Sequence, residues 1–216
     1  MSAPRLAVLD YGMGNMRSAE KALEHVGAEV DRTTDAAVAA RADGLVLPGD
    51  GAFPRAMRRV RALGFDALIE ERLAAGVPVL GICVGMQLLF DGSDELGGAE
   101  GLGLLPGRVV ALDAPGLPVP HIGWSAVRWE RPSALAEGLP QPAPMYHVHS
   151  FAPVPARVED VVGSAEHGTR FASVVEHGRL AGTQFHPEKS GPDGLRLLRN
   201  FVELCRASAA REAAAA

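Results

Sequence analysis

The sequence predicts an α/β fold: a single three-layer domain with a mostly parallel central sheet, helices on both faces and an antiparallel meander added in the second half. Two observations carry that prediction. Through residue 90, short β-type apolar runs alternate with segments whose apolar residues recur at helical spacing, the pattern of parallel strands joined by crossover helices. From Gly107 to about residue 185 the rhythm changes, and short strand-like runs follow one another with turns between them. A third observation sets the scale: 216 residues suit one sizeable core and leave little room for another.

Each element follows in order. Leu6-Ala7-Val8-Leu9 reads as a buried strand, followed by a loop over 11–15. Met16, Ala19, Ala22, Leu23 and Val26 then keep helical spacing until Gly27 marks the stop. Residues 28–30 and 44–47 are the second and third strands, and 54–75 is a helix broken near Gly64. Residues 77–82 form the next strand and 84–90 the next helix. In the second half the runs 109–112, 126–129, 145–151, 161–162, 172–176 and 180–185 form the meander, attached to the parallel sheet. A last helix over 194–205 presents Leu195, Leu198, Phe201, Val202 and Cys205 to the core. The expected organisation is one domain over 1–205 and an Ala-rich tail over 206–216, a helical end that frays.

Composition removes several function classes. Apolar residues make up 47% and charged residues 22%, the balance of an ordinary globular protein. A net charge of −5 opposes a nucleic-acid partner, which needs a clustered basic face. Arg55, Arg58, Arg59 and Arg61 cover most of a helix surface and read as a solvated face or a partner contact. The apolar run over 77–90 is too short and too interrupted for a membrane span. Residues 1–5 lead straight into a strand with no secretory pattern, so a cytoplasmic location with Cys83 and Cys205 reduced is expected. Cys205, on the apolar side of a helix, reads as inert packing.

Gly81-Ile82-Cys83-Val84-Gly85 has the form of a nucleophile elbow with Cys at its centre. Flanking glycines would let the strand turn sharply into the helix and push the thiol out at the carboxyl edge of the sheet, where open α/β sheets bind ligands. The following helix would aim backbone N–H groups there. Alone, a buried structural cysteine is the commoner fate of such a residue. A free thiol is only a few per cent thiolate at neutral pH, so ionisation supplies at most about thirtyfold. The remaining acceleration must come from positioning and oxyanion stabilisation.

His186-Pro187-Glu188 supplies a base and its orienting carboxylate. Pro187 pushes His186 toward extended backbone, and residues two apart in an extended segment share a side. Glu188 can then accept from one ring nitrogen and leave the other for Cys83. Other signals fail. Gly12-Met13-Gly14 follows a strand, but position 17 is Arg17 and the dinucleotide fingerprint is lost. No P-loop is present. His147 and His149 could share a strand face as metal ligands, but no further Cys/His cluster supports them, and no metal is expected.

Together these residues resemble the class I glutamine amidotransferases, with a Cys-His-Glu triad. Within them, Asp10-Tyr11-Gly12-Met13-Gly14-Asn15, Leu47-Pro48-Gly49-Asp50-Gly51-Ala52-Phe53, residues 81–90, Pro120-His121-Ile122-Gly123-Trp124 and residues 184–191 are similar to the glutaminase subunits of imidazole glycerol phosphate synthases. The resemblance spans residues 5–202. It implies that Cys83 attacks the side-chain amide of glutamine, that His186 protonates the departing ammonia and then activates water, and that Glu188 orients His186. It implies an oxyanion hole from the N–H of Val84 with Gly49, Asp50 and Gly51, a strand expected to flip a peptide through its glycines. The family usually has Val at the position of Asp50. A carboxylate beside an oxyanion opposes it unless it points away.

For the glutamine pocket the resemblance implies Gln87, Glu95, His149, Ser150 and Phe151, the last replacing the more usual Tyr. For the partner interface it implies Asn15, Trp124 and Lys189. Read alone, these three are a loop cap, a core aromatic and a surface charge. The implied partner is a (β/α)8-barrel cyclase subunit in a heterodimer, fed with ammonia through a channel in histidine biosynthesis, with no cofactor. The alternatives are the glutaminase subunit of pyridoxal phosphate synthase and a stand-alone thiol γ-glutamyl hydrolase.

Overall fold

Residues 5–9 carry no glycine or proline and bury Leu6, Ala7, Val8 and Leu9 completely; this strand, β1 (Arg5–Leu9), stands near one end of the main sheet. The computed structural model describes residues 3–215, so the expectations for Met1, Ser2 and Ala216 lie outside the described residues. After β1 come α1 (Met16–His25), β2 (Glu29–Thr33), α2 (Ala36–Ala39), β3 (Gly44–Gly49), α3 (Phe53–Ala62), α4 (Phe65–Ala74), β4 (Val79–Cys83) and α5 (Val84–Gln87). The second half holds β5 (Phe90–Ser93), β6 (Ala99–Glu100), β7 (Leu105–Ala111), β8 (His121–Trp129), β9 (Ala143–His149), β10 (Phe151–Pro155), β11 (Val161–His167), β12 (Thr169–His177), β13 (Leu180–Thr183) and α6 (Gly191–Ala215).

The main sheet has nine strands in the order β2-β1-β3-β4-β13-β12-β11-β8-β9. Neighbours from β2 to β13 pair parallel, and from β13 to β9 they pair antiparallel. The parallel half and the attached meander are therefore as the sequence predicts. The wholly buried strands β3 and β4 read as continuous apolar runs because both their faces are covered. Between α3 and α4, Gly64 adopts φ +68, which breaks the predicted long helix where glycine permits it.

Four expectations need correction. The helix expected over 84–90 is a single turn ending at Gln87, because Phe90 joins β5 and pairs with Leu105 of β7. The run over 145–151 is two strands: β9 ends at His149, and Phe151 begins β10, which pairs with β7. The run over 109–112 lies largely within β7, which belongs with β10, β5 and β6 to a second, four-stranded sheet and not to the main one. Period-2 alternation specifies a strand but not its partner. In α6 the core residue is Leu197, with Leu195 only partly buried; Leu198, Phe201, Val202 and Cys205 are buried as expected. α6 continues through the expected helical tail as far as Ala215, and the buried Ser208 donates its hydroxyl to Gly76 O at 3.0 Å. Among the described residues no helix is long and apolar enough to cross a membrane.

Sheet order positions the site. β4 lies between β3 and β13, and all three run the same way, so Gly49, Cys83 and Thr183 end together at the carboxyl edge. Thr183 pairs with Ile82 and Gly49 with Cys83, so two strand pairings bring distant parts of the chain to one edge.

Candidate active site

Cys83 is the last residue of β4, 3% exposed, with φ +56 and ψ −112. Such a backbone is costly for any residue with a Cβ, by about 1–3 kcal/mol, and it turns the thiol out of the strand direction. The sharp turn is thus made by Cys83 itself and not by the flanking glycines. Those serve close approach: a Cβ on Gly85 would lie 1.7 Å from Leu47 O, and one on Gly81 would lie 2.7 Å from Gly85 O. α5 being one turn long, it can offer only the unpaired N–H groups of its first turn, Val84 first, and not a long-helix dipole.

His186 follows β13 in extended backbone, and its N–H donates to Tyr146 O at 3.0 Å. Its Nδ1 lies 2.8 Å from Glu188 Oε1, the pair being almost wholly buried. Burial works to lower the His186 pKa. Hydrogen bonds to Cys83 and Glu188, reinforced by their charges, outweigh burial and raise it to about 9. An imidazolium is favoured beside Cys83, the partner a thiolate requires. Ser190, which the sequence reading missed, accepts from Tyr146 N–H at 2.9 Å and donates to His186 O at 2.7 Å. It ties the His-Pro-Glu turn to β9.

A cavity of about 320 Å³ opens over the thiol, walled by Asp50, Gly51, Val84, Gln87, Glu95, Ser150, Phe151 and His186 among others. A larger cavity of about 580 Å³ between the two sheets contains neither Cys83 nor His186, so the smaller one is the site that can do thiol chemistry. Gly49 lies opposite Cys83 in the sheet register. It is packed too tightly to be valued for freedom alone, since a Cβ there would meet Tyr11 Oη at 2.3 Å. Tyr11 donates to Pro48 O at 2.7 Å and holds this strand end from behind. Burial drives the Tyr11 pKa far upward, with the charges of Cys83 and Asp50 adding to it, so it remains a neutral donor. Gly51 takes φ +75, open to glycine and strained for other residues.

The expected glutamine-binding residues all reach this cavity, but their polar atoms are partly engaged. Glu95 Oε2 accepts from Phe53 N–H at 2.7 Å, capping α3 from another segment where Ala52 has no capping side chain. Gln87 donates through Nε2 to Phe151 O at 2.9 Å and to Gln184 Oε1 at 3.1 Å, so its Oε1 is the atom left for a substrate donor. His149 Nδ1 donates to Phe151 O at 3.0 Å, and its Nε2 therefore accepts from His121 Nδ1 at 3.1 Å. Both ring nitrogens are used within the protein, and His149 shapes the wall through Phe151.

Behind His149 stands a group of imidazoles. His121 accepts at Nε2 from Ser125 at 3.1 Å and stacks on His167, and His147 bonds Met145 O and Ser173. Burial, then the charge of His167, lowers the His121 pKa to about 4. Burial, with the charges of His121, His167 and His186, lowers that of His149 to about 4, and burial takes His147 well below its usual value. The group is a neutral hydrogen-bonded chain. Among the described residues no set of three or more His, Cys, Asp or Glu is arranged to hold a metal ion.

The three expected interface residues differ. Asn15 is exposed and caps α1, accepting from Ser18 N–H at 3.3 Å. Trp124 is 56% exposed, edge-on to Tyr146, and is no core aromatic. Lys189 is exposed at the cavity rim, at the end of the turn that carries Glu188. Gln184, absent from the expected site, is wholly buried with its Nε2 3.8 Å from Cys83 Sγ. It lies two residues before His186, at a bend that follows β13, so no local periodicity points to it.

The family model for glutamine amidotransferase class-I matches residues 7–205. The chain is 49% identical to the imidazole glycerol phosphate synthase subunit HisH of Moorella thermoacetica, over 93% of this chain and 95% of that one. It is 48% identical to the same-named subunit of a Synechococcus strain, over 94% and 95%. A solved glutamine amidotransferase superposes with a TM-score of 0.71 at 23% identity, covering 93% of this chain and 98% of that one.

Proposed function

The chain belongs to the class I glutamine amidotransferase family, and on that premise we propose that it is the glutaminase subunit of an imidazole glycerol phosphate synthase. The observation that carries the reading is the meeting of Cys83, His186 and Glu188 at one sheet edge over a cavity of amino-acid size. In the proposed reaction the Cys83 thiolate attacks the side-chain amide carbon of glutamine. The negative charge that develops on the amide oxygen meets backbone N–H groups at Val84 and along 49–51. His186, protonated beside the thiolate, gives its proton to the departing nitrogen as the C–N bond breaks, releasing ammonia and leaving a glutamyl thioester. Neutral His186 then takes a proton from water, whose oxygen attacks the thioester; glutamate leaves, and the thiolate–imidazolium pair is restored. Glu188 Oε1 holds His186 Nδ1 throughout, fixing which nitrogen faces the sulfur.

The ammonia is consumed by a partner subunit, in our reading a (β/α)8-barrel cyclase reached through a channel in a heterodimer. Exposed Ile122 and Trp124, two apart on β8 and therefore on one face, support a docking surface close to Tyr146 and the triad, with Lys189 and Asn15 as polar contacts. The test is glutamate release from glutamine by the chain alone, with the cyclase subunit, and with that subunit plus its nucleotide ligand. A large rise in the complete mixture supports a gated subunit. Full activity alone, unchanged by either addition, overturns the gating.

A further inference from the structure

Gln184 has no part in the reaction as described, yet it is completely buried between Gln87 and the sulfur. The orientation of its amide follows from a carbonyl. Phe151 O can only accept, and the side-chain nitrogen of Gln87 lies 2.9 Å from it. The same nitrogen lies 3.1 Å from the Gln184 side chain, so the atom it meets there must be the Gln184 oxygen. The Gln184 NH2 is thereby turned toward Cys83 Sγ, at 3.8 Å. His149 donates to the same Phe151 oxygen at 3.0 Å, which further fixes the acceptor that starts the chain.

A second neighbour of the sulfur is Val148 O, at 3.6 Å. A thiol can donate its S–H to that carbonyl, whereas a thiolate has no hydrogen and is repelled by the oxygen's partial charge. An amide N–H has the opposite preference, because it serves an anionic sulfur better than a neutral one. The two neighbours therefore pull the ionisation of Cys83 in opposite directions, in addition to the pull of His186, whose imidazolium favours the thiolate. Tyr11 and the Asp50, Glu95, His149 and Lys189 side chains of the cavity are the other titratable groups around it, and all are unchanged by the substitution below.

We propose that Gln184 is a positioning residue whose amide N–H holds the Cys83 sulfur in its thiolate form against the Val148 carbonyl, with Gln87 fixing the direction of that amide. The inference rests on Cys83 being the nucleophile. Gln184→Leu removes the donor and leaves an apolar side chain in the buried site. The readout is the pH profile of Cys83 alkylation by iodoacetamide in the full chain, followed on the peptide that contains Cys83. The midpoint rises by about one pH unit, roughly a tenfold slower reaction at pH values below both midpoints. Thr183→Val, which deletes a neighbouring buried hydroxyl bonded to Phe185 O, leaves the midpoint where it was. An unmoved midpoint in folded Gln184→Leu overturns the proposal, and so does an equal shift in Thr183→Val.

If Gln184→Leu does not fold, the 15N-labelled unsubstituted chain decides. The Gln184 side-chain amide resonance follows the Cys83 alkylation midpoint on titration, and a flat resonance overturns the proposal. Glutaminase activity that survives Cys83→Ala would overturn the nucleophile reading instead, so the two failures are distinguishable.

Discussion

Cys83 shows how much a single residue can be asked to hold. Its φ of +56 is a conformation that a side chain opposes, and the strand pairings on either side of β4 maintain it. Relief of that strain is measurable: Cys83→Gly unfolds in urea with a stability about 1 kcal/mol above that of Cys83→Ala, while both lack glutaminase activity. Equal stabilities would mean that the backbone is relaxed. Glu188 makes a second residue-scale prediction. Glu188→Gln keeps the size but offers either a donor or a weaker acceptor to His186 Nδ1, and kcat falls roughly 10²- to 10⁴-fold with little change in KM for glutamine. A kcat within threefold of the unsubstituted enzyme, measured with the partner subunit and its ligand, would remove Glu188 from the reaction. Both residues were legible in the sequence because an elbow and a His-Pro-Glu tripeptide are local patterns, although Glu188 meets His186 across a 3-10 turn over Pro187–Lys189 and not along the extended segment the sequence suggested. Gln184 and Ser190 were not, since their importance lies in atoms supplied by β9 and α5.

At the scale of elements, close packing carries the information that periodicity lacks. α5 lies so near β3 that the Gly85 hydrogen occupies the only space before Leu47 O. Gly85→Ala is therefore expected to destabilise the protein by about 2–4 kcal/mol, seen as a lowered urea midpoint. A loss under 0.5 kcal/mol would show that α5 can slide on the sheet. Glu95 links two elements as well: Glu95→Ala leaves the first turn of α3 uncapped and lowers stability by about 1 kcal/mol, independently of any loss of glutamine affinity. Stability identical to the unsubstituted chain would show that water replaces the cap. Alternation in the second half predicted strands, and most of them formed. It could not say that β7 and β10 leave the main sheet, because the pairing partner is chosen by burial on both sheets at once.

For the whole molecule, the buried histidines predict a stability profile with two limbs. His121 and His149 titrate at about 4 in the folded protein against about 6.5 when unfolded, so the unfolded state takes up protons first. Above 6.5 they carry no penalty; the penalty grows as pH falls from 6.5 toward 4 and is complete below that. His186 has the opposite sign. Raised to about 9, it contributes stability that is fully present below about 6.5 and is lost as pH rises through about 9. Urea midpoints recorded from pH 4 to pH 10 should fall at both ends. His121→Phe flattens the acid limb, and Cys83→Ala, which removes a partner that raises His186, flattens the alkaline one. A profile in which neither substitution alters its limb would show that these groups are solvated in the folded state.

The sequence by itself determined the fold class, the alternation of strands and helices in the first half, and two of the chemical patterns, the elbow and the His-Pro-Glu turn. Those are set by neighbours within a few residues, where backbone geometry and side-chain periodicity act directly. Only the tertiary structure decided that β4 lies between β3 and β13, which strands form the second sheet, and which amide faces the sulfur. Those choices are made by surfaces that meet from distant parts of the chain, and the free energy of burying them together belongs to no single segment.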